Sequence, residues 1–300
     1  MQNSKRAKFS FIIINYNAYE YTAKCIKSIK QFCVNYDNEI ILIDNASSDD
    51  SLVKLDAEVK NVIFIRNNEN YGFARACNQG IDQSYGEFLI FLNNDFEFTA
   101  NIFDKILEKF DRYENLGLLG FQLLNSDGTL QRTGFIFPTI LRRILQITIV
   151  PIIRKRTPAL KTTITVKDQV VDYIKGALMI VPSKLLNVFN LKFDETYFMY
   201  HEEMDLAYQL RKHGKICLLD ATPAGIHYGM HFEEVTDARI FLWRNKNLLY
   251  FYKKNYGKLK LWTLIFVNII LFSVKWLFSF GNTDHRRIYK KVIQFSLEYL

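Results

Sequence analysis

Four short apolar runs recur within the first hundred residues, and each is followed at once by amides or carboxylates. They are Phe9–Asn15 (FSFIIIN), Glu39–Asp44 (EIILID), Asn61–Arg66 (NVIFIR) and Glu87–Leu92 (EFLIFL), the last running into Asn93-Asn94-Asp95. Continuous apolar runs of this length suit strands buried on both faces, as in a parallel sheet covered by helices. Between them, Tyr19–Phe32 and Tyr71–Tyr85 carry apolar residues at helical spacing, and Ser47 or Ser48 can cap the helix after the second run. The repeated strand–helix order predicts an α/β fold with a mostly parallel, doubly wound sheet flanked by helices. Gly117–Leu124 reads as a further strand, with Ser126-Asp127-Gly128 as a hairpin turn.

Three hundred residues, 49% of them apolar, are enough to bury a core and exclude a disordered polyelectrolyte. The net charge of +8 is uneven: −4 over 1–136, +7 over 137–167, −4 over 168–240 and +9 over 241–300. An acidic body bearing two basic segments fits a localised anionic surface and argues against nucleic acid as a partner. Cys25, Cys33, Cys77 and Cys217 show no CxxC spacing, and Cys25 and Cys33 fall on one helical face as buried thiols. The N-terminal apolar run is too short for a secretory signal, which implies a reduced, cytosolic chain.

The strand–helix rhythm breaks at 137–167, a basic amphipathic excursion containing Arg142-Arg143 and Arg154-Lys155-Arg156. It resumes with Val170–Val181, a helix from about His201 to His213, and a short strand Ile216–Leu219; from Val235 the pattern is helical. Leu261–Phe280 is 20 residues long with Lys275 its single charge. That length can cross a bilayer, lie in its interface, or form a buried or dimer-forming helix.

In an open parallel sheet, ligands bind beyond the carboxyl ends of the strands. Those ends carry Asn15-Tyr16-Asn17, Asp44-Asn45, Asn67-Asn68 and Asn93-Asn94-Asp95. An aromatic face and a carboxylate can hold a nucleobase, although each residue alone also suits a turn. There is no GxGxxG and no Walker-type loop, so a bound diphosphate needs a divalent cation and side chains, with Asp95 the natural oxygen ligand. Glu202, Glu203 and Asp205 cluster at a helix start behind the aromatic run Tyr197–Tyr200, where a partly desolvated carboxylate can act as a base.

FSFIIINYN, IILIDNASSDDS, NENYGFARACNQGI and FLIFLNND, in this order, resemble the inverting glycosyltransferases of family 2. The likeness continues through Gly176-Ala177-Leu178, FDETYFMYHEEMDLAYQLRKHG and Gly225-Ile226-His227, over about residues 8–230, and is nearest to the rhamnosyltransferase-like enzymes of bacterial surface polysaccharides. It implies a GT-A, Rossmann-like fold. Tyr16 and Asp44 would recognise the base, and Asn17 and Asn45 would line its pocket. Asn70, Gly72, Arg75 and Asn78 match the segment that approaches the sugar nucleotide. Asp95, the last carboxylate of the family's DxD signature, and His227 would hold Mg or Mn. Glu202-Glu203 match the acidic pair whose second member is the base, with Asp205 as the other candidate. Two departures stand out: DxD reads Asn93-Asn94-Asp95, placing Asn94 in the donor site, and the acidic pair reads Glu-Glu.

The resemblance implies a catalytic domain over 1–235 and basic, apolar, membrane-associated helices over 236–300. It further implies an inverting, metal-dependent transferase using a UDP- or dTDP-sugar and a glycan or lipid-linked glycan acceptor. Such an enzyme is expected at the cytoplasmic face of the bacterial inner membrane, peripheral or held by one C-terminal segment, with a homodimer as a further expectation. A non-catalytic sugar-nucleotide or glycan-binding protein is the alternative. A sugar-phosphate nucleotidyltransferase fits less well, because NYNAYEY is not a Gly-rich, Arg-containing loop.

Overall fold

A computed structural model describes residues 7–148, 167–229 and 237–300. In chain order the first elements are β1 (Phe9–Asn15), α1 (Tyr19–Phe32), β2 (Asn38–Asp44), α2 (Ser51–Glu58), β3 (Ile63–Arg66), α3 (Gly72–Gln83), β4 (Phe88–Asn93), β5 (Phe96–Phe98), α4 (Phe103–Arg112), β6 (Leu116–Leu124), β7 (Leu130–Gln131) and β8 (Gly134–Phe135). They are followed by α5 (Ile140–Thr148), β9 (Gln169–Val171), β10 (Tyr173–Ile174), β11 (Leu178–Pro182), α6 (Ser183–Phe189), α7 (Glu202–Lys212), β12 (Ile216–His227), α8 (Asp237–Asn255), α9 (Lys258–Leu277) and α10 (Thr283–Glu298). Two compact units result: Met1–Ile136 with Thr162–Met230, and Phe137–Lys161 with His231–Leu300. The basic segment beginning at Phe137 therefore groups with the C-terminal helices, where the sequence reading kept it inside the first domain. Its second arginine cluster, Arg154-Lys155-Arg156, lies outside the described residues.

The main sheet of the first unit has the order β3-β2-β1-β4-β11-β6-β12-β5. Its first four strands are parallel; β1, β2 and β4 are buried on both faces, while β3 is a partly exposed edge strand. β11 then enters antiparallel to both β4 and β6, β12 runs parallel to β6, and β5 closes the edge antiparallel, so this half is mixed. Register pairs Asn15 with Asp44, Asp44 with Arg66, and Ile14 with Asn93, so the polar strand ends form one row. The order 3-2-1-4 reverses direction between β1 and β4, the switch point where such sheets open a ligand crevice.

Phe9, Phe11, Phe98 and Phe103 meet beneath the sheet, with the Phe103 ring centroid 5.3 Å from Phe9 and 5.8 Å from Phe11. Each buried ring contributes roughly 1.5–3 kcal/mol, so much of the phenylalanine enrichment is core. All four cysteines are buried and free. Desolvation pushes the Cys33 thiol up to about 12, which leaves it unreactive.

Two local expectations are corrected. α2 starts at Ser51 with Asp50 before it and no side-chain cap, because Ser47 and Ser48 are engaged with Asp44 and Asn17 instead. The short strand 216–219 is the beginning of a twelve-residue strand, β12, that shifts register around Pro223 and Gly225. Proline has no N–H for the ladder, so the run looks broken in sequence while the strand continues through a bulge. At Gly225 a Cβ would lie 2.0 Å from the Glu97 carbonyl oxygen, so glycine lets β5 and β12 close.

Lys109 of α4 lies 2.7 Å from Asp168 and 3.2 Å from Asp220 of β12. Burial lowers its pKa, but the two carboxylates outweigh that and raise it overall. Lys109→Ala leaves the buried Asp220 unpaired, with an expected stability loss of about 3–5 kcal/mol in denaturant titration.

In the second unit, Arg143 of α5 donates to Asn268 of α9 at 3.2 Å and also to Asn245 of α8. Phe272 and Val292 form a small core between α9 and α10.

Candidate active site

At the ends of β1 and β2, Asn15 Nδ2 donates to Asp44 Oδ1 at 2.7 Å, and Thr22 Oγ1 donates to Asn15 Oδ1 at 2.7 Å. Asp44 also accepts from the Ser47 backbone N–H at 3.0 Å and from its hydroxyl at 2.6 Å. Three donors fix this one buried carboxylate at the carboxyl ends of the strands. Asn17, at φ 49°, clamps the two loops together: its N–H donates to Ser47 Oγ at 3.0 Å, and its Oδ1 accepts from Ser48 N at 2.7 Å. Tyr16 stands half-buried between them.

Asn45 Nδ2 reaches from the end of β2 to the Gly72 carbonyl at 3.1 Å, and Asn70 Oδ1 accepts from the Gly72 N–H at 3.0 Å. Gly72 has φ 79°, and a Cβ there would lie 2.2 Å from the Phe198 carbonyl oxygen. Only glycine allows that approach, which brings the chain before α7 onto α3. The Arg75 guanidinium stacks 3.7 Å from the Tyr71 ring centroid, with Nε 4.0 Å from Glu195. Asn78 donates to the Phe193 carbonyl and to Glu195, both at 2.9 Å, and accepts from Phe193 N at 3.0 Å. Both Asn78 N–H donors are thus used by the chain itself, making it a loop anchor.

At the end of β4, Asn94 turns one way while Asn93 and Asp95 turn together to another neighbour. Asn94 Nδ2 donates to Thr22 Oγ1 at 3.2 Å, turning towards α1. Asn93 Nδ2 lies 3.2 Å from His227 Nε2, and Asp95 Oδ1 lies 3.3 Å from the same nitrogen. His227 is the buried last residue of β12, eight residues beyond Leu219, where the sequence pattern ends the strand. Its Nδ1 is 2.9 Å from Gln131 Oε1, which also accepts from Lys175 Nζ at 2.7 Å; Lys175 Nζ is 3.3 Å from Nδ1. Sequence reasoning missed Asn93, Gln131 and Lys175. The i, i+2 spacing from Asp95 was the available signal for Asn93, while the other two meet His227 only through the fold.

Gln131 Oε1 and Asn93 Nδ2 match a ring protonated on Nδ1, whereas Lys175 Nζ and Asp95 Oδ1 match one protonated on Nε2. With Nδ1 protonated, Asp95 Oδ1 and Nε2, 3.3 Å apart, are two acceptors able to share a cation. The partner on Nδ1 is the support that orients a ligating histidine. Among the described residues no group of three His, Cys, Asp or Glu side chains gathers for a metal ion. Asp95 and His227 can supply two ligands to a divalent cation, short of a complete set.

α7 starts on two consecutive left-handed residues, Tyr200 at φ 71° and His201 at φ 77°. Such strain in non-glycine residues persists where surrounding contacts impose it, and it is common at functional sites. Glu202 and Asp205 are buried, while Glu203 is half-buried. A Cβ on Gly176, next to Lys175, would lie 3.9 Å from Glu203 Cβ, which puts the start of α7 against the chain between β10 and β11. Burial first, and the neighbouring Glu203 charge second, push the Glu202 carboxyl well above its ordinary range. Because the folded state holds this proton more tightly, stability is greatest below the ordinary carboxylate pKa and falls as pH rises towards the folded value. Glu202→Gln is therefore expected to raise Tm at pH 8 by about 2–4 °C for each kcal/mol relieved, with the gain vanishing near pH 4 in thermal melts.

Contacts thus run from Lys175 through His227 to Asp95, and from Asn94 through Thr22 and Asn15 to Asp44. By contrast, a cleft of about 500 Å³ lined by Lys8, Glu87 and Phe110 lies at the opposite strand ends, away from these groups.

Comparison with known proteins bears on the family and the fold. Residues 10–170 match the family described as Glycosyl transferase family 2. The chain is 33% identical over 113 residues to a teichoic acid poly(glycerol phosphate) polymerase of Staphylococcus epidermidis, a match covering 36% of this chain and 16% of that protein's length. It is 23% identical over 206 residues to an N-acetylglucosaminyl-diphospho-decaprenol L-rhamnosyltransferase of Mycobacterium tuberculosis, covering 64% of this chain and 67% of the relative. The crystal structure of GalNAc-T7 with UDP, GalNAc and Mn2+ superposes at TM-score 0.62 and 15% identity, covering 99% of this chain and 57% of that one, a likeness of GT-A fold. With the strand-end row, the β1/β4 switch point and a family match over more than half its length, the chain belongs to glycosyl transferase family 2.

Proposed function

We propose that this chain transfers a sugar, with inversion, from a UDP- or dTDP-sugar to a hydroxyl of a lipid-linked glycan during bacterial surface polysaccharide synthesis. The observation that carries this reading is the apposition of Asp95 and His227 Nε2 at 3.3 Å beside the β1/β4 crevice. The polymerase and rhamnosyltransferase relatives, and the UDP and Mn2+ of the GalNAc-T7 structure, support it. The first unit would be the catalytic one, and the second would hold the enzyme at the cytoplasmic membrane face.

In this reading the base of the donor lies at the ends of β1 and β2, with Tyr16 against its ring, Asp44 accepting from it, and Asn17 and Asn45 shaping the loops. Asn70, Gly72 and Arg75 position the segment beside the sugar nucleotide, and Asn78 anchors the loop leading to α7. Asp95 and His227 would hold Mg or Mn, which when bound offsets charge on the diphosphate. Lys175 places a further positive charge beside that position. Glu203 takes the acceptor hydroxyl proton as its oxygen bonds the anomeric carbon; the carbon–oxygen bond to the diphosphate breaks, and its electron pair leaves with the nucleoside diphosphate. Burial raises the Glu202 carboxyl and makes its charged form costly, so the role of base falls to Glu203. Asp205, buried one turn into α7, is the remaining candidate base.

A thermal-shift screen of UDP-, dTDP- and GDP-sugars with and without Mn tests this. Binding at 100 times Kd stabilises by about 2.7 kcal/mol, so a cation-dependent rise in Tm with one donor class is expected, followed by donor turnover. Stabilisation without any donor turnover supports a binding module instead, and no response to any donor defeats both readings.

A further inference from the structure

We infer that α9 is an interfacial helix that lies along an anionic membrane surface, rather than across the bilayer. The inference rests on the membrane reading proposed above and concerns the second unit alone. α9 is long and apolar enough to span. Leu259, Trp262, Phe266, Ile270, Val274 and Leu277 are each between 44% and 78% exposed. Their spacing of three and four residues makes one continuous stripe about 27 Å long. The other face, with Leu261, Leu264, Ile265, Asn268 and Phe272, is buried. An exposed apolar stripe of this extent marks a contact surface.

The helices packed on the buried face decide between spanning and lying flat. α9 packs against α5, α8 and α10. α10 runs back along it, with the Phe272 and Tyr289 ring centroids 5.7 Å apart and Arg286 over Trp276 at 4.1 Å. α10 exposes Asp284, Arg287, Lys290 and Lys291, so a spanning α9 would draw these charges into hydrocarbon. A helix lying in the interface buries only its stripe and leaves its partners in the headgroup and water layers.

Charge identifies the occupant. Residues 241–300 carry +9, and α5, packed on α9, exposes Leu141 and Leu145 beside Arg142. A second copy of so basic a unit would repel the first, whereas anionic headgroups attract it.

The test uses the full chain with vesicles of phosphatidylglycerol and phosphatidylcholine, or of phosphatidylcholine alone, in flotation assays. The comparison variant is Phe266→Glu/Ile270→Glu, whose exposed positions leave the packing intact, with its melting curve as the check on folding. Wild type is expected to float with anionic vesicles, to be released by alkaline carbonate, and to bind at least 10-fold more tightly than the variant. Equal binding by the folded variant, or retention in carbonate, overturns the interfacial helix and leaves the membrane reading standing. No binding of wild type to anionic vesicles overturns both. A wild-type dimer that the variant loses, without vesicle binding, assigns the stripe to a second copy. Donor turnover with a water-soluble acceptor reads the catalytic proposal separately.

Discussion

Glu203→Gln is expected to lower sugar transfer by about two to four orders of magnitude while leaving donor affinity within twofold of wild type. The substitution keeps the shape of the side chain and removes only its capacity to take a proton. Glu202 is a poor substitute because burial raises its pKa and makes its charged form costly. The Glu203 charge is the second cause of that raised pKa, so removing it lets Glu202 ionise more readily. Residual activity in the variant should therefore rise with pH, as measured by single-turnover rates between pH 6 and 9. Turnover near wild type would move the base to Asp205. A fall in donor affinity as large as the fall in rate would make Glu203 a donor-binding residue.

The second large effect is expected at Asp95. Asp95→Asn removes the carboxylate that faces His227 Nε2 and supplies an amide able to donate to that nitrogen instead. The position then no longer needs a cation. Donor affinity in the presence of Mn should fall about 10- to 100-fold, while affinity without the cation stays unchanged. Turnover should fall about 10²- to 10³-fold, the size of effect seen when one group stabilising developing charge is lost. His227→Gln should behave alike, and the double variant should be little worse than either single one, because the two side chains would act as a unit. Metal titration curves that match wild type in both single variants would remove Asp95 and His227 from the cation site.

Much of the sheet was legible because its strands are buried on both faces. FSFIIIN and EFLIFL leave no helical stripe and no polar face, so they read as central strands, and their polar ends predict the row at the crevice. The mixed half was not legible. β11 reaches its place between β4 and β6 after a long connection, and nothing in LMIVP tells whether it enters parallel or antiparallel. β12 was read as ending at Leu219 because Pro223 removes a ladder donor, yet the strand continues through the bulge to His227.

The sequence by itself determined the chemistry available at the strand ends: amides, Asp44 and Asp95 beyond the β1, β2 and β4 runs, an acidic cluster at the start of α7, and a basic, apolar C-terminal stretch. Local pattern is sufficient there, because burial on both faces and a side-chain period of two follow from neighbouring residues. Tertiary structure alone decided which groups meet. Gln131, Lys175 and His227 lie on segments far apart in the chain, and only closure of the sheet brings them to Asp95. The same holds for charge: the basic segment beginning at Phe137 joins the C-terminal helices because α5 and α9 bury surface against each other, a long-range contact that composition along the chain does not record.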